Sequence, residues 1–126
     1  MVNVKKWFIN KREDIKLLLA ILFLIGIIVF ANISYKRLRT VTYIIPPGAG
    51  EKLADGQDTV ELPDELILTG IQDTLVIENQ DDVVHSFGPF VILPHTTLLK
   101  RFTTSGTYQG SCTFHPDQHV TLTVKR

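Results

Sequence analysis

The stretch 106–124, GTYQGSCTFHPDQHVTLTV, reads as two strands joined by a polar loop. In its second half Val120, Leu122 and Val124 alternate with Thr121, Thr123 and Lys125, the period of a strand with one face in a core. In its first half Tyr108, Gly110 and Cys112 share one face. Carried backwards, the second alternation puts Gln118 on the inward side and His119 on the outward side. Cys112 and Gln118 thus face inward across a loop that carries His115. The hairpin gathers the one cysteine of the chain, an imidazole and a side-chain amide at one end of a β-structure.

Upstream, short β-branched and aromatic runs alternate with turn residues. The pattern predicts strands over 40–45, 66–69, 74–79, 85–87, 91–93, 97–103, 107–114 and 119–125. Asp73, Asp81-Asp82, Gly88-Pro89, Pro94 and Gly106 punctuate them. No segment beyond residue 39 has a convincing helical period. The string GAGEK at 48–52 lacks the spacing of a phosphate loop and reads as a turn after Pro46-Pro47. So many short strands in so short a chain predict an all-β fold, a β-sandwich or a small barrel, with Greek-key connections.

The N-terminal part differs in kind. Leu17 to Ala31 is an apolar run with no polar side chain, and 17–35 approaches the ~20 residues that cross a bilayer. Lys5, Lys6, Lys11, Arg12 and Lys16 precede it; Lys36, Arg37 and Arg39 follow it. This bias predicts a cytoplasmic N-terminus (1–16), a transmembrane helix (17–35), a juxtamembrane linker (36–41) and an extracytoplasmic domain (42–126) at the cell membrane. A cleaved signal peptide ending near Val29-Phe30-Ala31 is the rival; the long preceding region and the basic flank after the run favour an uncleaved single-pass anchor. Beyond residue 39 the charge reverses, with five basic residues against eleven acidic ones. That balance argues against nucleic acid as a partner.

A lone thiol outside the cytoplasm is open to oxidation unless something occupies it. Cys112 and His115 supply two donors from the loop, and His85, opening a strand after the acidic turn at 81–82, supplies one from the body. Two imidazoles, a thiolate and a weak axial group suit mononuclear copper cycling between Cu(I) and Cu(II).

The block Cys112-Thr113-Phe114-His115-Pro116-Asp117-Gln118, with Asn79 and His85 upstream, resembles the ligand loop and first histidine segment of type 1 (blue) copper cupredoxins of the amicyanin and plastocyanin kind. The similarity covers about 42–125 and implies an eight-stranded Greek-key sandwich with copper at one end. It implies His85 Nδ1, Cys112 Sγ and His115 Nδ1 as ligands. Where most members have Met, this chain has Gln118, as in the stellacyanin-like branch, and a harder oxygen donor implies a lower potential. His119 is the alternative axial ligand. HSFGPF and GTYQGSC also resemble the membrane-anchored cupredoxin domain of cytochrome oxidase subunit II. Its dinuclear copper centre needs two cysteines four apart, and Tyr108 and Pro116 stand at those places.

The expected function is therefore that of a membrane-anchored carrier of single electrons, not an enzyme. Its partners would be membrane lipid, through the N-terminal helix, and redox proteins such as a cytochrome or an oxidase or reductase complex. Copper delivery and metal-free docking to an oxidase are the alternatives. Asp81, Asp82 and Asp117 are candidates for an acidic docking patch. His95, in a turn, is expected to be exposed.

Overall fold

In a computed structural model, residues 4–57 and 60–126 are described; the side chains of 4–10 and 115–118 lie outside the description. The chain forms two units, 1–37 and 38–126.

The first is helical. Helix α1 (Val4–Arg39) contains a span, Lys11–Arg39, in which an 18-residue window has mean hydropathy 2.8, long and apolar enough to cross a membrane. Its large side chains, Phe23 and Phe30 among them, are exposed, unlike those of a soluble core helix. Where the sequence suggests a linker over 36–41, helix continues to Arg39 and strand β1 starts at Thr40.

The second unit is a sandwich of eight strands in two sheets. One sheet has the order β1 (Thr40–Ile45), β3 (Thr74–Asn79), β6 (Thr97–Arg101). The other runs β2 (Glu65–Thr69), β8 (His115–Lys125), β7 (Gly106–Cys112), β4 (His85–Phe87), β5 (Phe90–Ile92). The chain changes sheet after β1, β2, β3, β5 and β6, so strand neighbours are rarely consecutive in sequence, as a Greek-key arrangement requires. The pairs β1–β3 and β2–β8 are parallel, and between the members of each the chain leaves the sheet and returns to it.

Alternation builds the core. Leu75, Ile77 and Asn79 of β3 face inward, as do Leu66 and Leu68 of β2 and Val120, Leu122 and Val124 of β8. Ile45, Phe87, Ile92 and Phe102 fill the space between the sheets. Fully burying each such side chain is worth ~1.5–3 kcal/mol. Phe102 also packs against Tyr108 (centroids 5.2 Å apart) and Phe90 (6.3 Å).

Two features correct the sequence reading. The stretch at 48–52 is not merely a turn: Ala49–Ala54 is a short helix, α2, entered through Gly48 in a left-handed conformation (φ 74°). Six residues are too few to show a helical period or to stand alone. Its start is instead held by a side chain distant in sequence, because Asp81 accepts from the Gly48 and Gly50 amides at 2.9 and 2.8 Å. Asp81 itself is 3% exposed, so it cannot belong to a surface docking patch. Asp82 is exposed and accepts from Nε2 of the exposed His95 at 2.8 Å.

At the other end of the sandwich a second buried carboxylate gathers cations. Asp73 pairs with Arg39, with Arg126 at 3.0 Å and with Arg101 at 3.3 Å. Hydrogen bonding from Arg39, then from Thr74 and Arg101, outweighs burial and holds this carboxyl well below the ordinary range. The backbone repeats the link: the Asp73 amide donates to the Arg39 carbonyl, and the Phe102 amide to the Asp73 carbonyl.

Candidate metal centre

The site lies where β4 begins and β7 ends. Phe87 pairs with Cys112 across the β4–β7 ladder. Two residues along the same antiparallel register, His85 falls opposite Phe114, and their rings stack with centroids 4.8 Å apart. His85, Phe87, Cys112 and Phe114 are all buried. A latch fixes the loop to β4: the Ser86 amide donates to Thr113 Oγ1 at 2.7 Å, and the Thr113 amide to the Ser86 carbonyl at 3.1 Å. The loop carrying Cys112 is thus tied to the residue beside His85.

The approach to His85 is equally constrained. The Asn79 side-chain amide donates to the carbonyls of Val83, Ile92 and Leu93, and its Oδ1 accepts from the Asp81 amide at 3.0 Å. Asp81 in turn accepts from the Asp82, Gly48 and Gly50 amides and contacts His85 Nε2 at 2.8 Å. Burial pulls the Asp81 carboxyl upward, but the Gly50 amide, the His85 ring and the Asp82 and Gly48 amides outweigh it and hold the pKa at about 2. An ionised carboxylate only accepts hydrogen bonds. In the neutral ring, the His85 proton therefore sits on Nε2, leaving a lone pair on Nδ1.

Nδ1 is buried and has no hydrogen-bond partner among the described residues. An orphaned buried polar atom costs ~1–3 kcal/mol unless something occupies it. A ring whose far nitrogen donates to a carboxylate while the near one is unprotonated is prepared for a metal ion. With Cys112, a soft donor, buried on the same β4–β7 ladder two register positions away, the donor chemistry fits copper.

The remaining candidates divide. The side chains of His115 and Gln118 lie outside the described residues; His115 has a backbone place in β8, opposite Cys112. The register then jumps, with Ser111 opposite His119, so residues 116–118 form an irregularity in the strand. His119 is exposed. Among the described residues no three His, Cys, Asp or Glu side chains converge as a metal cluster. The buried role of Asp81 at His85 and the Ser86–Thr113 latch escaped the sequence reading. An acidic pair after a strand reads as a solvated turn, and the two latch residues lie 27 positions apart.

No protein-family model matches the chain, and no curated protein matches it. Among solved structures it is similar to a purple cupredoxin from Nitrosopumilus maritimus, with 22% identity over 68% of this chain and 99% of that one and a TM-score of 0.39. It is similar also to a Met-to-Gln mutant of amicyanin, Cu(I), with 22% identity over 69% and 83% of the two chains and a TM-score of 0.39. An oxidized Met-to-Lys mutant of amicyanin gives 21% identity, 68% and 82% coverage, and a TM-score of 0.39. At these values the fold assignment rests on the chain's own strand order: eight strands in two sheets, the sandwich that the sequence resemblance implies.

Proposed function

We infer that this chain is a membrane-anchored mononuclear copper protein that carries single electrons on the extracytoplasmic face. The observation that carries the reading is His85: buried, held at Nε2 by an ionised carboxylate, its Nδ1 without a partner among the described residues, and next to the ladder that buries Cys112. His85 Nδ1, Cys112 Sγ and His115 would hold the metal, with Gln118 as the weak axial donor. The exposed, outward place of His119 favours Gln118 in that role. Bound copper would supply a one-electron couple between Cu(I) and Cu(II).

The chain's own residues account for the rest. Asp81 sets the orientation of His85 and, in the neutral ring, the tautomer that leaves the lone pair on Nδ1. The thiol of Cys112 must give up its proton on binding, which makes uptake pH-dependent. Phe114 covers the His85 ring and keeps water away. The latch and the Asn79 clamp hold loop and strand in one geometry, the condition for small reorganisation when the charge on the metal changes. The apolar helix would confine the domain to a membrane surface, raising its effective concentration near membrane-bound donors and acceptors.

The test is voltammetry of the copper-loaded full chain in detergent, beside a chelator challenge. A carrier gives one reversible one-electron wave and retains one copper per chain. Rapid loss of copper to the chelator without a reversible wave would show a delivery protein instead.

A further inference from the structure

The charge of the sandwich is polarised along its strands. The cations Lys100, Arg101, Lys125 and Arg126 lie at the end where β6 and β8 finish and β3 and β7 begin. Arg39 lies there too, through its pairing with Asp73. From residue 40 onward the one other basic residue is Lys52, on α2 at the opposite end. Of the described acidic residues of the sandwich, Asp73 alone shares the basic end, and it is 2% exposed. Glu51, Asp55, Asp81 and Asp82 belong to the metal end, and Glu65 sits opposite Thr121, about 13 Å up the strand from Lys125.

Asp73 neutralises one of the three guanidiniums bonded to it. The Arg101 and Arg126 side chains remain 58% and 38% exposed, and Lys100 and Lys125 are exposed as well. A brace needs one arginine; this end has a surplus of surface charge. It is also the end at which the chain enters the domain, since Arg39 closes α1 and Thr40 opens β1. Only four positions of sequence separate Tyr35, where the apolar span ends, from Arg39.

We propose that this basic end, formed by Lys100, Arg101, Lys125 and Arg126 around the Arg39–Asp73 pair, is a docking face for anionic lipid headgroups that stands the domain upright on its membrane. The proposal rests on the anchored reading above. Charge complementarity selects the occupant: the base is cationic where the rest of the domain is acidic, so an anionic bilayer attracts one end and repels the other. The metal end is thereby held away from the lipid, towards soluble or laterally docked redox proteins. Each lysine or arginine near such a surface is worth about fivefold in association, an effect that fades within a Debye length as salt rises.

The test places the full chain in nanodiscs of phosphatidylcholine, alone or mixed with phosphatidylglycerol, with a paramagnetic chelate on a fraction of the headgroups. Amide relaxation is compared at the base (101–106 and 124–126) and at the metal end (48–55). The comparison variant is Lys100→Gln with Lys125→Gln, which leaves every bond to Asp73 in place. Docking predicts enhanced relaxation at the base alone, dependent on phosphatidylglycerol and reversed by salt. In the double variant the docked-to-free ratio falls about twentyfold or more. Equal relaxation in both lipids, or a double variant like the wild type, overturns the proposal and leaves the base to an acidic protein surface. Alkaline extraction tests the anchor separately. If it releases the chain, the anchored reading fails, and co-sedimentation of the same two chains with vesicles of each lipid decides the docking face. Wild type sedimenting with phosphatidylglycerol vesicles alone, and the variant not, supports it; no lipid preference overturns it.

Discussion

Asp81→Asn keeps the shape of the side chain and removes its charge, which makes it a sharp probe of how His85 is held. Asp81 Oδ1 accepts from the Gly48 and Asp82 amides, and Oδ2 from the Gly50 amide and His85 Nε2. An asparagine offers one oxygen and one NH₂ group. If its NH₂ takes the Oδ1 place, two amides lose their acceptor. If it takes the Oδ2 place, only the Gly50 amide is orphaned, provided that His85 moves its proton to Nδ1 and accepts at Nε2. The second arrangement is the cheaper. It leaves one buried donor unsatisfied, at ~1–3 kcal/mol, and weakens the three surviving charge-assisted bonds to neutral ones, partly offset because a neutral side chain costs less to bury, so the expected loss is ~2–4 kcal/mol. Urea unfolding of the full chain in detergent, followed by circular dichroism, should show the midpoint fall by roughly 1–3 M. Nitrogen NMR of the metal-free protein should show His85 protonated on Nε2 in the wild type and on Nδ1 in the variant, with weaker copper binding as a result. An unchanged midpoint with His85 still protonated on Nε2 would refute the claim that this carboxylate sets the ligand.

Gly110→Ala should cost ~3 kcal/mol or prevent folding, measured by the same unfolding assay. A Cβ there would lie 2.4 Å from the Gly88 carbonyl carbon and oxygen and 2.9 Å from the Pro89 nitrogen, all backbone atoms that must move. Acid stability should depend on Asp73. Its pKa is lower in the folded protein than the ~3.9 of an unfolded chain, so its contribution is present above that value and is lost as pH falls below it towards the folded pKa. Thermal midpoints between pH 6 and pH 2 should fall in the acid range for the wild type. Asp73→Asn should be less stable at neutral pH and show a shallower acid decline; an unchanged slope would contradict the pairing.

Much of the sandwich was legible because its strands alternate. Leu75 and Ile77, and Val120, Leu122 and Val124, carry the inward face in sequence, and the turn residues mark where strands end. The junction at 36–41 was less legible, since helix and strand meet there without glycine or proline to mark a break. What stayed hidden depends on contacts far apart in the chain. Asp81 looks like a solvated turn residue until α2, about thirty positions earlier, folds over it. Arg39 reads as a flank of the apolar run, yet it is bonded to Asp73, 34 residues away. Gly110 had a local signal, a glycine inside a strand, which often marks close backbone approach. His85 and Cys112 could be proposed from residue type and order alone; the carboxylate that prepares His85 could not, because burial inverts the usual meaning of an acidic pair.

The most direct test of the copper reading is the visible and EPR spectrum of the full chain in detergent after addition of Cu(II), with Cys112→Ser alongside. The account predicts one copper per chain and an intense thiolate-to-copper charge-transfer band that is absent from the variant. Copper bound without such a band, or a band that survives in Cys112→Ser, would contradict it.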